Sequence, residues 1–120
     1  MIVDSVPCGI LGAFKAETAP VHKQVWLVQA TVAHITGVAL GDLCAPTRRT
    51  PRAALSRQMA MYLCHVVFSI GVSNVARAFG RDPSTVVHAL RRVEELRDAP
   101  EFDRELAGIE GLLLDSWGQL

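Results

Sequence analysis

Two glycines and two prolines divide residues 71–100 into pieces whose lengths leave little choice of structure. Gly71 precedes the run Val72–Phe79, Gly80 closes it, and Pro83 opens a longer run that lasts to about Arg97, ahead of Ala99-Pro100. Glycine readily ends a helix in the left-handed conformation, and proline is at home in the first helical position, where its missing N–H costs nothing. A short helix, the turn Gly80-Arg81-Asp82 and a longer helix make the layout of a helix-turn-helix. Val75, Ala76 and Phe79 form the packing side of the short helix, with Ala76 small enough to let the two helices close. On the longer one, Val86, Val87, Leu90, Val93 and Leu96 make an apolar stripe, with Ser84, Thr85, His88, Arg91, Arg92 and Glu95 opposite. Asp82 fits the N-cap and Pro83 the first helical position. An ordinary helical hairpin with a wet outer face has the same pattern, so the layout alone leaves both readings open.

The rest of the chain also reads as helical. From Val21, the residues Val25, Val28, Val32 and Ile35 recur at three- and four-residue spacing, which predicts an amphipathic helix stopped by Gly37. The stretch Ala45–Arg52 holds Pro46 and Pro51 and cannot be a helix interior. Ala53–Phe68 is predicted to be a second helix, broken at Gly71, with Met59 and Met61 filling the core. Glu101–Trp117 can form the last helix, with Phe102, Leu106, Ile109 and Leu113 on one side. No period-two alternation, internal repeat or low-complexity tract is present. The expected fold is all-α, a compact domain of about five helices over residues 20–120, preceded by an arm over 1–19 that has no helical period.

A net charge of zero conceals an asymmetry. Residues 48–97 hold nine arginines against Asp82, Glu94 and Glu95, a net of +6, and the remaining residues carry −6. A basic segment on a neutral chain has a place to put phosphates, although arginines that merely solvate helix faces produce the same count. No apolar run approaches the roughly 18 to 20 residues that span a bilayer. The apolar start Met1–Phe14 lacks a basic flank and is interrupted by Asp4, Pro7, Gly9 and Gly12, so a secretory signal is not expected. Cys8, Cys44 and Cys64 are odd in number and far apart, and read as reduced thiols of a cytoplasmic protein, with Cys44 and Cys64 in packing roles. His22, His34, His65 and His88 are scattered, without metal spacing or a nucleophilic partner set. Gly9-Ile-Leu-Gly12 is followed by Ala-Phe-Lys and lacks the spacing of a phosphate loop. The expectation is no catalysis, no metal, no cofactor, no nucleotide and no membrane.

Two blocks of residues then point to a family. Arg57-Gln-Met-Ala-Met-Tyr-Leu63, followed by Val75-Ala-Arg-Ala-Phe-Gly-Arg-Asp-Pro-Ser-Thr-Val-Val-His-Ala89, resembles the C-terminal DNA-binding domain of the bacterial replication initiator DnaA family. The family pattern is Arg-Gln-x-Ala-Met-x-Leu and then Phe-Gly-(Gly)-Arg-Asp-His-Thr/Ser-Thr-Val-x-His-Ala. The spacing from Arg48-Arg49 to Arg57-Gln58 fits as well, and the resemblance covers roughly Val21 to Leu113. It implies a helix-turn-helix domain similar to the Trp-repressor class, and duplex DNA as partner. Members of the family carry an ATPase domain ahead of this module; about twenty residues precede it here, so the expectation is a stand-alone module.

Carried over residue by residue, the resemblance implies that Arg49, in a basic loop with Arg48 and Arg52, is the arginine inserted into the minor groove. Arg57 and Gln58 correspond to phosphate contacts. Asp82, Ser84 and Thr85 stand where the family places its recognition-helix contacts, and His88 and Arg92 where it touches the backbone; Arg81, Pro83 and Arg91 join them as DNA-binding candidates. Asp82 fits two roles, helix cap and DNA contact, and they are compatible. His65 fits a phosphate contact as well as a solvated or core histidine. One departure matters: the family's base-reading histidine after Arg-Asp is here Pro83, which has neither an imidazole nor an N–H to offer a base.

The functional expectation is a sequence-specific double-stranded DNA-binding protein of the bacterial cytoplasm, associated with the nucleoid, that regulates transcription. The alternative is a replication modulator that competes for or co-occupies initiator sites at an origin; an adaptor that binds protein through the basic face is a third. The apolar arm and the run Leu112-Leu-Leu-Asp-Ser-Trp117 suggest a homodimer through the N-terminal arm and the C-terminal helix, or the arm folded back within one chain.

Overall fold

The computed structural model describes residues 19–45 and 50–119. Among them the chain forms α1 (Ala19–Thr36), α2 (Leu40–Leu43), α3 (Pro51–Phe68), α4 (Val72–Phe79), α5 (Pro83–Leu96) and α6 (Pro100–Gly118), with no strand. The arm expected over 1–19 lies outside the described residues apart from Ala19, which opens α1. Arg48 and Arg49 also lie outside them.

Gly37 ends α1 with a positive φ of 74°, and its N–H donates to the Ala33 carbonyl at 3.0 Å. The buried arc of α1 runs through Val25, Val28, Gln29 and Val32. Ile35, expected to continue the stripe, sits at the edge of that arc and is 38% exposed. The one-turn helix α2 was not anticipated, because a single turn has no period to detect; it buries Leu43.

The centre of the fold is α3. Thr50 caps it, its hydroxyl accepting from the Ala53 N–H at 3.0 Å, and Pro51 occupies the first turn, so the helix begins ahead of the expected Ala53. From Ala53 to Cys64 it is buried around most of its circumference, Met59 and Met61 included, as befits a helix with neighbours on several sides. The chain breaks at Ser69, in the left-handed region at φ 55°, with the Ile70 N–H reaching the Cys64 carbonyl at 3.3 Å. Gly71, the expected breaker, has a negative φ and instead serves as the N-cap of α4.

The α4–turn–α5 unit has the expected boundaries. Gly80 takes φ 64° and the Arg81 N–H returns to the Ala76 carbonyl at 2.9 Å, a helix ending that satisfies a terminal carbonyl. The inner stripe of α5 needs one correction: Val86, Ala89 and Val93 are buried, whereas Val87 is 42% exposed. Adjacent residues of a helix point about 100° apart, and on α5, which is covered on one side only, Val86 meets the core while Val87 turns outward. α5 packs against α3, and Ala89 on it is fully buried. In α6, Leu106, Ile109 and Leu113 are buried as expected, and Phe102 is half-buried.

Cys64 is a free thiol with no exposed surface. Cys44 is disulfide-bonded, so the expectation of reduced thiols fails there. The spacing of cysteines does not determine which of them a fold brings within bonding distance. No helix among the described residues is long and apolar enough to cross a membrane, and no group of three or more His, Cys, Asp or Glu residues among them could hold a metal ion.

Candidate nucleic-acid interface

The outer face of α5 is a row of short polar and cationic side chains. Asp82, Pro83, Ser84, Thr85, His88, Arg91 and Arg92 are all exposed. Asp82 has the extended backbone of an N-cap, and its carbonyl accepts from the Thr85 and Val86 amides at 2.9 and 3.4 Å. Its carboxylate makes no bond to the helix backbone, and accepts the Ser84 hydroxyl at 3.1 Å. Of the two roles open to Asp82, backbone geometry supplies the cap, and the side chain stays at the surface paired with Ser84. Pro83 in the first turn has no N–H, so the helix start offers no donor at that position.

This face continues onto α3. One concavity is lined by Ala54, Arg57, Gln58, Met61, Arg81, Thr85 and His88. The next is lined by Pro51, Leu55, Gln58, His88, Arg92 and Glu95. Gln58 and His88 belong to both, so the first turns of α3 and the outer face of α5 form one surface. Leu55 and Met61 floor it, although α3 is helical in period all round and nothing in the sequence marks these two as groove residues.

The arginines, indistinguishable in the sequence, fall into separate environments. Arg91 and Arg92 project from α5, exposed. Arg77 on α4 is exposed and donates to the Asn74 side chain at 2.8 Å. Arg52 donates to the Thr36 carbonyl at the end of α1. Arg57 is buried, with Nε donating to the Leu43 carbonyl at 2.8 Å and Nη2 to the Asp42 carbonyl at 3.1 Å. Arg81 donates to the Ala45 carbonyl. Arg97 faces away into a cluster of acids, with Nε 2.6 Å from Asp103 and Nη1 2.9 Å from Glu110. Helix C-termini present carbonyls without intrahelical donors, and a guanidinium is well suited to satisfy them. The exposed cationic character of this surface is therefore smaller than the +6 of the segment suggests. His65 is half-buried, with Nδ1 2.8 Å from the Ile70 carbonyl at the α3–α4 corner.

Residues 25–93 match the family model described as the bacterial dnaA protein helix-turn-helix. The chain is 38% identical over 78 residues to the chromosomal replication initiator protein DnaA of Aquifex aeolicus, covering 64% of this chain and 19% of that protein. It is 34% identical over 88 residues to the protein of the same name from Laribacter hongkongensis, covering 72% of this chain and 18% of that one. Among solved structures, a crystal structure of a DNA replication initiation factor superposes with a TM-score of 0.73 at 34% identity, over 83% of this chain and 30% of that chain. AMPPCP-bound DnaA from Aquifex aeolicus superposes with a TM-score of 0.71 at 28% identity, over 84% of this chain and 30% of that chain. The chain thus spans less than a fifth of the length of these two initiator proteins. It belongs to the bacterial DnaA helix-turn-helix family, and the fold it carries is a DNA-binding module, not an enzyme.

Proposed function

We propose that this chain binds duplex DNA sequence-specifically, with α5 in the major groove, and acts as a regulator of transcription. The observation that carries the reading is the outer face of α5. Ser84 and Thr85 stand exposed at its start, where recognition helices meet base edges, and His88, Arg91 and Arg92 follow where phosphates lie. Gln58 extends this row onto α3. By resemblance, Arg48 and Arg49, with Arg52 beside them, supply the minor-groove contact. Arg57 and Arg81, held by backbone carbonyls, stand at the edge of the same surface and contribute to the fit.

A second reading, occupancy of initiator sites at an origin, is favoured by the relatives, which are named as chromosomal replication initiators. Pro83 argues for a different target sequence. Mapping genome-wide occupancy separates the two: peaks at promoters support transcription control, and peaks confined to an origin overturn it. Failure to shift any duplex in a gel would leave the protein-binding adaptor as the better account.

Self-association is part of the proposal. Leu112 and Leu114 on α6 are 47% and 55% exposed, more apolar surface than a terminal helix needs. Two chains paired there would set two recognition helices on one duplex and favour inverted half-sites. Leu113 is fully buried, so the informative variant is Leu112→Glu with Leu114→Glu. Sedimentation of the wild type as a monomer at about 50 µM, a concentration above the dissociation constants of most specific complexes, would exclude the dimer.

A further inference from the structure

Arg81 occupies the turn between α4 and α5, directly before the exposed Asp82. Its guanidinium does not simply project to solvent: Nη2 donates to the carbonyl of Ala45, 36 residues earlier in the chain. Ala45 is 4% exposed and lies three residues before Arg48. The same connection is held from the other side by Arg57 of α3, whose Nε and Nη2 bond the Leu43 and Asp42 carbonyls at the end of α2. The Ala45 amide closes the turn on the Asp42 carbonyl at 3.3 Å. Both guanidinium groups line one concavity with Thr85 and His88.

Two guanidinium groups therefore grip one short backbone stretch, one from the central helix and one from the start of α5. Charge-assisted bonds to terminal helix carbonyls are among the stronger polar contacts, and the planar guanidinium holds direction as well as distance. A protein that reads DNA with two separate elements loses less free energy to ordering, and so discriminates better, when their separation is fixed before binding.

We infer that Arg81 is a positioning residue that locks the end of the α2 segment at Ala45 against the start of α5, and so sets DNA sequence preference through that bond rather than as a phosphate ligand. The inference rests on the DNA-binding reading above. A phosphate ligand and a positioning residue differ in a measurable way. Loss of a phosphate contact weakens binding to every duplex alike and lowers the salt slope by about 0.9. Loss of a strut leaves phosphate contacts on a random duplex intact and removes the advantage of the preferred one.

The test uses Arg81→Met, which keeps bulk without a donor, and Arg81→Lys, which keeps one donor without the planar fork. The probes are the tightest duplex that the wild type selects from random 20-base-pair DNA, and a scrambled duplex of equal composition. For Arg81→Met the expected result is a loss of roughly tenfold or more in the preferred-to-scrambled affinity ratio, with the salt slope on the scrambled duplex unchanged. Arg81→Lys should recover part of the ratio. In the free protein, amide hydrogen exchange over Asp42–Ala45 should accelerate in Arg81→Met, reporting the coupling without any DNA. A salt slope lowered by about 0.9 with equal loss on both duplexes would overturn the inference. So would exchange over Asp42–Ala45 unchanged from the wild type. A wild type that binds no duplex would overturn the DNA-binding reading, and the specificity role with it.

Discussion

The Arg97 guanidinium donates to the Tyr62 hydroxyl at 3.0 Å, and its carbon stands 5.7 Å from the centroid of the same ring. The tyrosine hydroxyl in turn donates to Glu94 at 3.0 Å, while Arg97 also bonds Asp103 and Glu110. One cation thus joins α3, α5 and α6. The hydrogen bond that the guanidinium donates to Glu110 raises its pKa well above the ordinary arginine range; burial opposes this, and the bonds to Asp103 and Tyr62 reinforce it.

Arg97→Met should therefore destabilise the fold by about 2–3 kcal/mol, because it leaves two carboxylates, Asp103 and Glu110, at a half-buried site without their cation. Urea unfolding should show a lower midpoint at unchanged slope. Affinity for a random duplex should stay as it was, since Arg97 points into the fold; a matching loss of affinity would return Arg97 to the DNA surface.

Ser69 and Gly80 make a paired test of the helix endings. Ser69 holds a left-handed φ without being glycine, so Ser69→Gly should raise stability by about 0.5–1 kcal/mol. Gly80→Ala should lower it by about 1 kcal/mol, since Gly80 needs the same region. Thermal melts of both variants check the pair, and the expectation fails if the two shifts share a sign.

At the start of α5, Ser84→Ala and Thr85→Ala should each weaken binding to the preferred duplex by about 1–3 kcal/mol, with little effect on a scrambled one. Asp82 accepts from Ser84, so Ser84→Ala also frees that carboxylate beside the DNA. Pro83→His returns the imidazole implied by the family pattern, and titration against the initiator box should show a gain over its scrambled version. No gain would mean that turn geometry, not this side chain, sets the preference.

Binding should fall steeply with salt, because Arg91 and Arg92 are exposed on α5 and displace condensed cations from the phosphates. Fluorescence anisotropy between about 50 and 200 mM salt measures this. A flat response would remove the electrostatic basis of the interface.

Burial pushes the Cys64 thiol well above its ordinary pKa, so it should resist thiol reagents at neutral pH. Mass-resolved labelling of Cys64 should follow global unfolding in urea. Rapid modification of Cys64 in the folded protein would contradict its burial.

Helix boundaries were legible in the sequence where a single residue type enforces a backbone state. Gly37 and Gly80 hold positive φ and Pro83 opens α5, because these preferences are local, whereas Pro51 and Pro100, read as breakers, are the first residues of α3 and α6. The same reasoning failed at Ser69, where a residue with no preference for the left-handed region takes it. Periodicity found the buried faces of α4 and α6 but placed Val87 inside, because a stripe pattern cannot tell which of two neighbouring valines meets the next helix. The polar and cationic face of α5 could also be read in advance, since exposure there follows from the apolar face opposite. What only the tertiary structure decided was the fate of each arginine. Arg91, Arg57, Arg81 and Arg97 are alike in the sequence, yet one is exposed, two grip carbonyls of the α2 segment, and one is enclosed by acids. A guanidinium's role depends on which backbone ends and carboxylates lie within about 3 Å of it, and those partners stand 6 to 36 residues away in the chain.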